Sequence, residues 1–203
     1  MIRVGLTGGI GVGKTTVSKL FKELGVPVFN SDLCARESES DPEIQKAIQE
    51  IIHENIFVDG KLDRAEMRKI IFNDKDKLIR INKVITPYIK ARFEEFCIEN
   101  KHKRYVILES AILFETGAND GFDIIITVTA DTDTRIKRAM TRDNSTLEDV
   151  EGKLRNQWPE DKKIAASDYI IFNNGTDLID SLDVLTKQVK ALDKAIMWDW
   201  YTS

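Results

Sequence analysis

The sequence predicts an α/β fold in which a five-stranded parallel sheet is doubly wound, with helices on both faces. Short, nearly continuous apolar runs, typical of strands buried on both faces, alternate with longer segments of helical periodicity. Strands that alternate with helices favour right-handed crossovers, which place the carboxyl ends of the strands along one edge of the sheet. The predicted strands are Ile2–Thr7, Val26–Asn30, Tyr105–Glu109, Asp123–Thr129 and Asp168–Phe172.

A glycine-rich turn joins the first predicted strand to a helix. Gly8, four further residues and then Gly13-Lys14-Thr15 match the pattern of a phosphate-binding loop. Glycines let successive backbone N–H groups turn towards a phosphate chain, and the positive end of the following helix points at the same anion. Lys14 can reach the β- and γ-phosphates of a nucleoside triphosphate, and the Thr15 hydroxyl can bind Mg²⁺. The candidate nucleotide-binding residues in this stretch are Gly8, Gly9, Gly11, Val12, Gly13, Lys14, Thr15 and Thr16.

The alternative to a phosphate-binding loop is a glycine-rich turn that binds nothing. The pattern stands between a strand and a helix, which is the context that phosphate binding requires. The sequence therefore predicts that this chain binds a nucleoside triphosphate.

Composition describes an ordinary globular protein. The chain has 203 residues, of which 42% are apolar and 32% charged, and its formal net charge is −4. Such a chain has no overall attraction to nucleic acid or anionic lipid, so its phosphate binding must be local. No apolar run approaches the ~20 residues that span a bilayer, and the first strand begins at once, so we expect neither a membrane span nor a signal peptide. Cys34 and Cys97 lie far apart and no metal-ligand spacing occurs, which favours reduced thiols in a cytoplasmic protein.

Asp32 follows the second predicted strand. In open parallel sheets, ligands collect at the carboxyl ends of the strands, so this carboxylate can act near the γ-phosphate as a general base or a Mg²⁺ ligand. Asp is also a favoured N-cap, and a helix is predicted to start at Leu33. The residues alone leave both interpretations open.

The segment from Asp41 to Lys103 has helical periodicity, many charges and no strand pattern, which predicts an all-helical insertion. Pro87 is expected to kink or divide its last helix. Arg64 and Arg68 are candidates for contact with an anionic substrate, and a solvated helix face is the alternative for these charges.

Two acids follow the third predicted strand. Glu109 or Glu115 can hold Mg²⁺ through water, since many phosphate-loop proteins carry an acid at the end of such a strand. For Glu115 the alternative is a charge on a helix surface.

Two arginines lie four residues apart on a later helix. Arg138 and Arg142 share one face, from which they can neutralise charge on a transferring phosphoryl group. Pairing with Asp131, Asp133 or Asp143 is the alternative.

Beyond the fifth strand, the polar loop Asn173–Gly175 is placed to hold an adenine ring, which makes Asn173 and Gly175 candidate nucleotide contacts.

These residues resemble those of the dephospho-coenzyme A kinase family, from Ile2 to about Val189. The Thr-Gly-Gly-Ile-Gly and Leu-Phe-Glu segments are more specific than the phosphate-binding loop itself. The matching segments are Gly5–Thr15, Asp32, Asp59–Arg64, Phe72, Leu113–Glu115, Arg138–Asp143, Gln157, Ser167–Ile171 and Asn173–Gly175. The resemblance implies transfer of the γ-phosphoryl group of ATP to the ribose 3′-hydroxyl of dephospho-coenzyme A, the last step of coenzyme A synthesis.

The resemblance also implies a P-loop kinase fold in three parts. These are a nucleotide-binding core (1–33, 104–130 and 166–197), a helical insertion for the acceptor (34–103) and a lid (131–165). Mg²⁺ and ATP are the implied cofactors, small molecules the implied partners, and a monomer or small homo-oligomer the expected state. The implied residues are Lys14, Asp32, Arg138 and Arg142 for catalysis, Asp32, Arg64, Leu113 and Glu115 for the acceptor, and Thr15 and Asp32 for the metal.

Two positions depart from the family's usual residues. Asn30-Ser31-Asp32 stands where Asp-Ala-Asp is common, and Thr86-Pro87 where His-Pro is common.

Other functions compete with dephospho-coenzyme A phosphorylation. Another small-molecule or nucleoside monophosphate kinase on the same core is one rival. A GTP-dependent switch is the other, but Asn82-Lys83-Val84-Ile85 lacks the Asp of a guanine-reading motif.

Overall fold

We describe the protein from a computed structural model, which covers residues 1–53, 56–58, 60–72, 74–175 and 178–202; for 68, 72, 178–180 and 199–202 it describes the backbone alone. The chain divides into two compact units, Met1–Phe29 with Cys97–Ser203, and Asn30–Phe96. The predictions for Asp59, Arg68 and Phe72 lie outside the described residues or side chains.

The described residues form one five-stranded sheet and one short hairpin. Their strands are β1 Ile2–Thr7, β2 Val28–Asn30, β3 Phe57–Val58, β4 Lys61–Leu62, β5 Tyr105–Glu109, β6 Ile124–Thr129 and β7 Tyr169–Phe172. The order in the sheet is β2-β5-β1-β6-β7, and β3 pairs with β4 in the hairpin. β1 pairs in parallel with β5 and β6, and β6 pairs in parallel with β7. This arrangement confirms the predicted parallel, doubly wound α/β sheet.

The described residues also form α-helices. They are α1 Lys14–Glu23, α2 Ser31–Ser38, α3 Pro42–Ile52, α4 Arg64–Phe72, α5 Lys75–Glu99, α6 Thr132–Asp143, α7 Leu147–Arg155, α8 Glu160–Ala165 and α9 Leu178–Thr202. No helix among the described residues is both long and apolar enough to cross a bilayer.

The core of the first unit forms where two helices cover the sheet. The apolar runs of β1 and β6 are buried because the strands are covered on their faces, as their continuous hydrophobicity predicts. Val17 and Phe21 of α1 pack into the same cluster as Leu185 and Val189 of α9. This packing fixes the start of α1, and with it the glycine-rich turn that precedes the helix.

The second unit is not all-helical, so that prediction is wrong. Phe57–Val58 pairs antiparallel with Lys61–Leu62, a hairpin too short to show period-2 alternation in the sequence. Its core is a cluster of isoleucines from α3 together with Ile56 and Ile81. Pro87 does not divide the last helix, since α5 runs through it.

Candidate active site

The glycine-rich turn between β1 and α1 adopts a conformation that its sequence allows. Gly11 and Gly13 have φ of 79° and 93°, values that side chains strain to adopt. A Cβ atom on Gly11 would lie 2.1 Å from the carbonyl oxygen of Arg135, and one on Gly13 would lie 2.4 Å from Nδ2 of Asn173. The glycines therefore also admit α6 and the 173–175 loop against the turn.

The amino end of α1 is arranged like an anion site. Gly13 is the N-cap residue, and no side chain caps the first turn. The ammonium group of Lys14 donates to the carbonyl oxygens of Gly8 at 2.7 Å and Gly9 at 3.0 Å. Thr16, at the start of the helix, donates its N–H to the carbonyl oxygen of Gly13.

Glu109 lies at the end of β5, beside the first turn of α1. Its buried carboxylate accepts a hydrogen bond from Ser18 Oγ at 2.8 Å and from Thr15 Oγ1 at 3.4 Å. Sequence reasoning considered Glu109 but did not place it among the site residues, and it missed Ser18. Thr15 and Ser18 are three residues apart and share one face of α1, and this spacing is the sequence signal that could have indicated Ser18.

The second acid, Glu115, has a different environment. Lys163 forms an ion pair with it at 2.9 Å, and the N–H of Trp158 donates to the same oxygen at 2.6 Å. The Glu115 side chain is 11% exposed and lies in a segment of turns, so the alternative of a helix-surface charge is wrong. Leu113, a predicted acceptor contact, is buried, and its Cδ2 atom would lie 2.7 Å from a Cβ on Gly5. Its side chain therefore belongs to the core.

The two arginines of α6 that were predicted to act in catalysis, Arg138 and Arg142, have separate partners. Arg138 donates to the carbonyl oxygens of Asn173 at 2.9 Å and Gly175 at 2.8 Å, and burial lowers its pKa. It thus holds the loop that sequence reasoning assigned to adenine. Arg142 is 63% exposed and pairs with Asp143 at 2.7 Å, the ion pair that was the alternative interpretation.

Two residues of the 131–165 segment contact the turn directly, and sequence reasoning gave neither of them a role. Gln157 accepts a hydrogen bond from the N–H of Ile10 at 3.0 Å, and Arg135 donates from Nε to the carbonyl oxygen of Ile10 at 3.2 Å. Asn173 Nδ2 donates to the carbonyl oxygen of Val12 at 2.8 Å. Gln157 stood in the family motif, whereas only tertiary contact reveals Arg135.

Asp32 and Arg64 belong to the second unit. Asp32 is exposed in the first turn of α2, but the N-cap is Asn30, whose side chain accepts from the N–H of Leu33 at 2.8 Å. The alternative in which Asp32 caps the helix is therefore wrong, because the helix begins at Ser31. Arg64 is paired with Glu39 at 2.8 Å.

The parallel sheet, its strand order and the glycine-rich turn before α1 define a protein with the P-loop kinase fold. The family model described as dephospho-CoA kinase matches residues 2–178. Two curated proteins named dephospho-CoA kinase are similar to the chain. The relative from Chlorobaculum tepidum is 35% identical, covering 96% of this chain and 94% of its own. The one from Chlorobium luteolum is 36% identical, covering 84% and 82%.

A solved structure agrees with these relatives. The dephospho-CoA kinase from Campylobacter jejuni is 25% identical, has a TM-score of 0.66, and is matched over 95% of this chain and 98% of its own. The chain belongs to the dephospho-CoA kinase family. The prediction of an ATP-dependent dephospho-CoA kinase from the sequence is thereby confirmed.

Proposed function

We propose that this chain transfers the γ-phosphoryl group of ATP to the ribose 3′-hydroxyl of dephospho-coenzyme A with the residues of the turn before α1. One observation carries the proposal for the donor side. The ammonium group of Lys14 donates hydrogen bonds to the carbonyl oxygens of Gly8 and Gly9. It does so at the start of α1, where no side chain caps the helix and the helix dipole favours anions. A phosphate chain in the turn would give Lys14 a stronger, charged partner than these carbonyls.

The donor side also contains residues that fit Mg²⁺. This cation prefers hard oxygen ligands and keeps several waters. The Thr15 hydroxyl would bind the ion, and Glu109, which is within hydrogen-bonding distance of that hydroxyl, would accept from its waters. Bound there, Mg²⁺ neutralises charge on the β- and γ-phosphates. Asp32 remains a second proposed metal residue, from its place after β2.

Phosphoryl transfer passes through a loose transition state, so positioning and charge neutralisation matter more than the strength of a base. Lys14 stabilises charge on the γ-phosphoryl oxygens. Asp32 orients the acceptor hydroxyl and takes its proton. Arg142, whose side chain is 63% exposed and pairs with Asp143, approaches the transferring group, while Arg138 holds Asn173 and Gly175 for the adenine ring.

Four residues, Asp32, Arg64, Leu113 and Glu115, are candidates for contact with the acceptor. The Arg64 side chain is 48% exposed beside its ion pair with Glu39, so its guanidinium is accessible to an anionic substrate. Glu115 is engaged by Lys163, and the Leu113 side chain is buried. We therefore propose Arg64 and Asp32 as acceptor contacts ahead of those two.

The test is ADP release from Mg²⁺ and ATP with a panel of acceptors: dephospho-coenzyme A, AMP, CMP, shikimate, gluconate and none. Strong stimulation by dephospho-coenzyme A alone supports the proposal. Stimulation by another acceptor would assign the chain to a different small-molecule kinase and overturn the proposed acceptor. No stimulation by any of them would overturn phosphoryl transfer to these acceptor classes.

Partners, compartment and oligomeric state are proposed from the composition and the cysteines. Small-molecule substrates and the net charge of −4 favour a protein without a nucleic-acid partner. Neither Cys34 nor Cys97 forms a disulfide, which fits a reducing compartment such as the cytoplasm. A monomer or a small homo-oligomer is proposed.

A further inference from the structure

The peptide groups on both sides of Ile10 are held by side chains from the 131–165 segment. Gln157 Oε1 accepts from the N–H of Ile10 at 3.0 Å, and Arg135 Nε donates to its carbonyl oxygen at 3.2 Å. Both backbone polar groups of this residue are thus bonded within the protein. Ile10 is the third residue of the turn that carries the proposed donor site.

The first of these bonds orients a carbonyl that holds Lys14. The N–H of Ile10 and the C=O of Gly9 belong to one planar trans peptide, so the two groups point in opposite directions. With the N–H directed at Gln157, the Gly9 carbonyl is directed away from it, and this carbonyl accepts from Lys14 Nζ at 3.0 Å. Gln157 therefore acts on the position of Lys14 through one peptide plane.

The second bond orients the next peptide. The C=O of Ile10 shares a plane with the N–H of Gly11, which points away from Arg135 when the carbonyl points towards it. Gly11 has a φ of 79°, so without a side chain its own backbone gives this plane little restraint. Arg135 supplies that restraint from outside the turn.

The side chains of Arg135 and Gln157, here called the clamps, are themselves held by other residues. The Arg135 side chain is 7% exposed, and its Nη1 pairs with Glu160 Oε2 at 2.8 Å. Gln157 Nε2 approaches the carbonyl oxygen of Ala111 at 3.4 Å. A Cβ on Gly9 would lie 2.0 Å from Arg135 Nη2, so the guanidinium lies directly on the turn. A buried, ion-paired side chain has little rotamer freedom and can therefore hold a peptide plane in place.

We propose that Gln157 and Arg135 are positioning residues that hold the Ile10 peptides in the orientation required for phosphate binding. This inference deepens the proposed function, because it concerns the same donor site. It assigns Arg135 to the support of the turn, which distinguishes it from Arg142 on the same helix. Loss of either clamp weakens binding of the nucleotide phosphates and leaves the acceptor side unchanged.

The experiment compares Gln157→Met and Arg135→Met with the wild-type protein. Gln157→Met keeps length and neutrality but removes the acceptor for the Ile10 N–H. The matched control is Tyr105→Phe, which removes the hydrogen bond from Tyr105 Oη to Asp193 at 2.6 Å, at the opposite end of β5 from Glu109. Four quantities are measured: the Kd of MgADP by calorimetry, the KM values for ATP and for dephospho-coenzyme A, and Tm.

Each clamp variant is expected to raise the Kd of MgADP and the KM for ATP about five- to tenfold, the equivalent of one hydrogen bond. The KM for dephospho-coenzyme A is expected to stay unchanged. Tyr105→Phe is expected to lower Tm without changing nucleotide affinity. An unchanged Kd for MgADP in either clamp variant, or a fall in Tm as the sole effect, would overturn the inference.

The binding readout separates this inference from the proposed function. MgADP affinity is measured without an acceptor, so it reports on the clamp even if dephospho-coenzyme A is not the substrate. Equal rises in the KM values of both substrates would indicate a general loss of structure and would also overturn the positioning role.

Discussion

Lys163 and Glu115 form an ion pair of 2.9 Å in which the lysine side chain is 0% exposed and the glutamate side chain 11% exposed. Lys163 also donates to the carbonyl oxygen of Ala111 at 3.1 Å. The pair joins α8 to the segment after β5, close in sequence to Gln157 and Trp158. Glu115 also accepts from the N–H of Trp158, so its carboxylate is engaged within the protein.

Breaking this pair from one side is expected to destabilise the fold. Lys163→Met would leave a buried carboxylate without its cation, and such losses amount to about 3 kcal/mol. The double variant Glu115→Gln/Lys163→Met removes both charges, so its loss should be smaller than the sum of the two single losses. Urea unfolding of the four proteins at pH 7 measures the coupling, and additive free energies would contradict it.

Lys14→Ala is expected to reduce turnover by about three orders of magnitude, because it removes a positioned cation from the transferring phosphoryl group. Lys19→Ala provides the control, since Lys19 is an exposed lysine on the same helix. The measurement is kcat for ADP release with saturating substrates. Equal kcat values for the two variants would exclude the proposed role of Lys14.

Glu109→Gln is expected to raise the Mg²⁺ concentration at half-maximal activity by about tenfold, the usual effect of losing a group that orients a metal's ligands. Ser18→Ala should shift it in the same direction, since it removes a hydrogen bond of 2.8 Å to that carboxylate. Glu23→Gln, at an exposed acid of α1, is the control. An unchanged Mg²⁺ titration in both site variants would contradict the assignment.

Asp32→Asn is expected to lower kcat about a hundredfold, within the range for loss of a general base, while MgADP affinity stays the same. Glu37→Gln changes another exposed carboxylate of α2 and should have wild-type activity. Single-turnover kinetics with calorimetric ADP binding separate the two effects. Normal turnover by Asp32→Asn would remove Asp32 from the mechanism.

Asp143 makes part of the protein's stability dependent on pH. Its hydrogen bond with Arg142, followed by that with Lys153, holds the pKa of the carboxyl well below its ordinary value of 3.8. A lowered folded-state pKa contributes stability that is full above the unfolded pKa and is lost as the pH falls towards the folded one. Asp143→Asn should therefore cost up to about 1 kcal/mol at pH 7, given the exposure of Arg142.

This cost should shrink as the pH falls below about 4, because wild-type Asp143 then becomes neutral in the unfolded chain. Unfolding free energies of both proteins at pH 7, 5 and 3.5 provide the check. A difference that is constant over this range would mean that the carboxylate charge is not responsible.

The sequence by itself predicted the parts that follow from local pattern. Continuous apolar runs predicted the five strands, and Gly8 to Thr15 predicted the phosphate-binding turn, because that chemistry requires glycine, Lys14 and Thr15 at set spacings. The hairpin at Phe57 and Lys61 escaped prediction because two-residue strands have no periodicity to detect.

Only the tertiary structure decided which side chains support the turn and which remain available to a ligand. Glu109 and Glu115 look equivalent in sequence, yet one contacts Thr15 and Ser18 while the other pairs with Lys163. The glycines admit Arg135 and Asn173 against the turn, and Gln157 lies 147 residues from its partner Ile10. Burial and partner choice depend on elements distant in the chain, so residue type and spacing alone do not determine them.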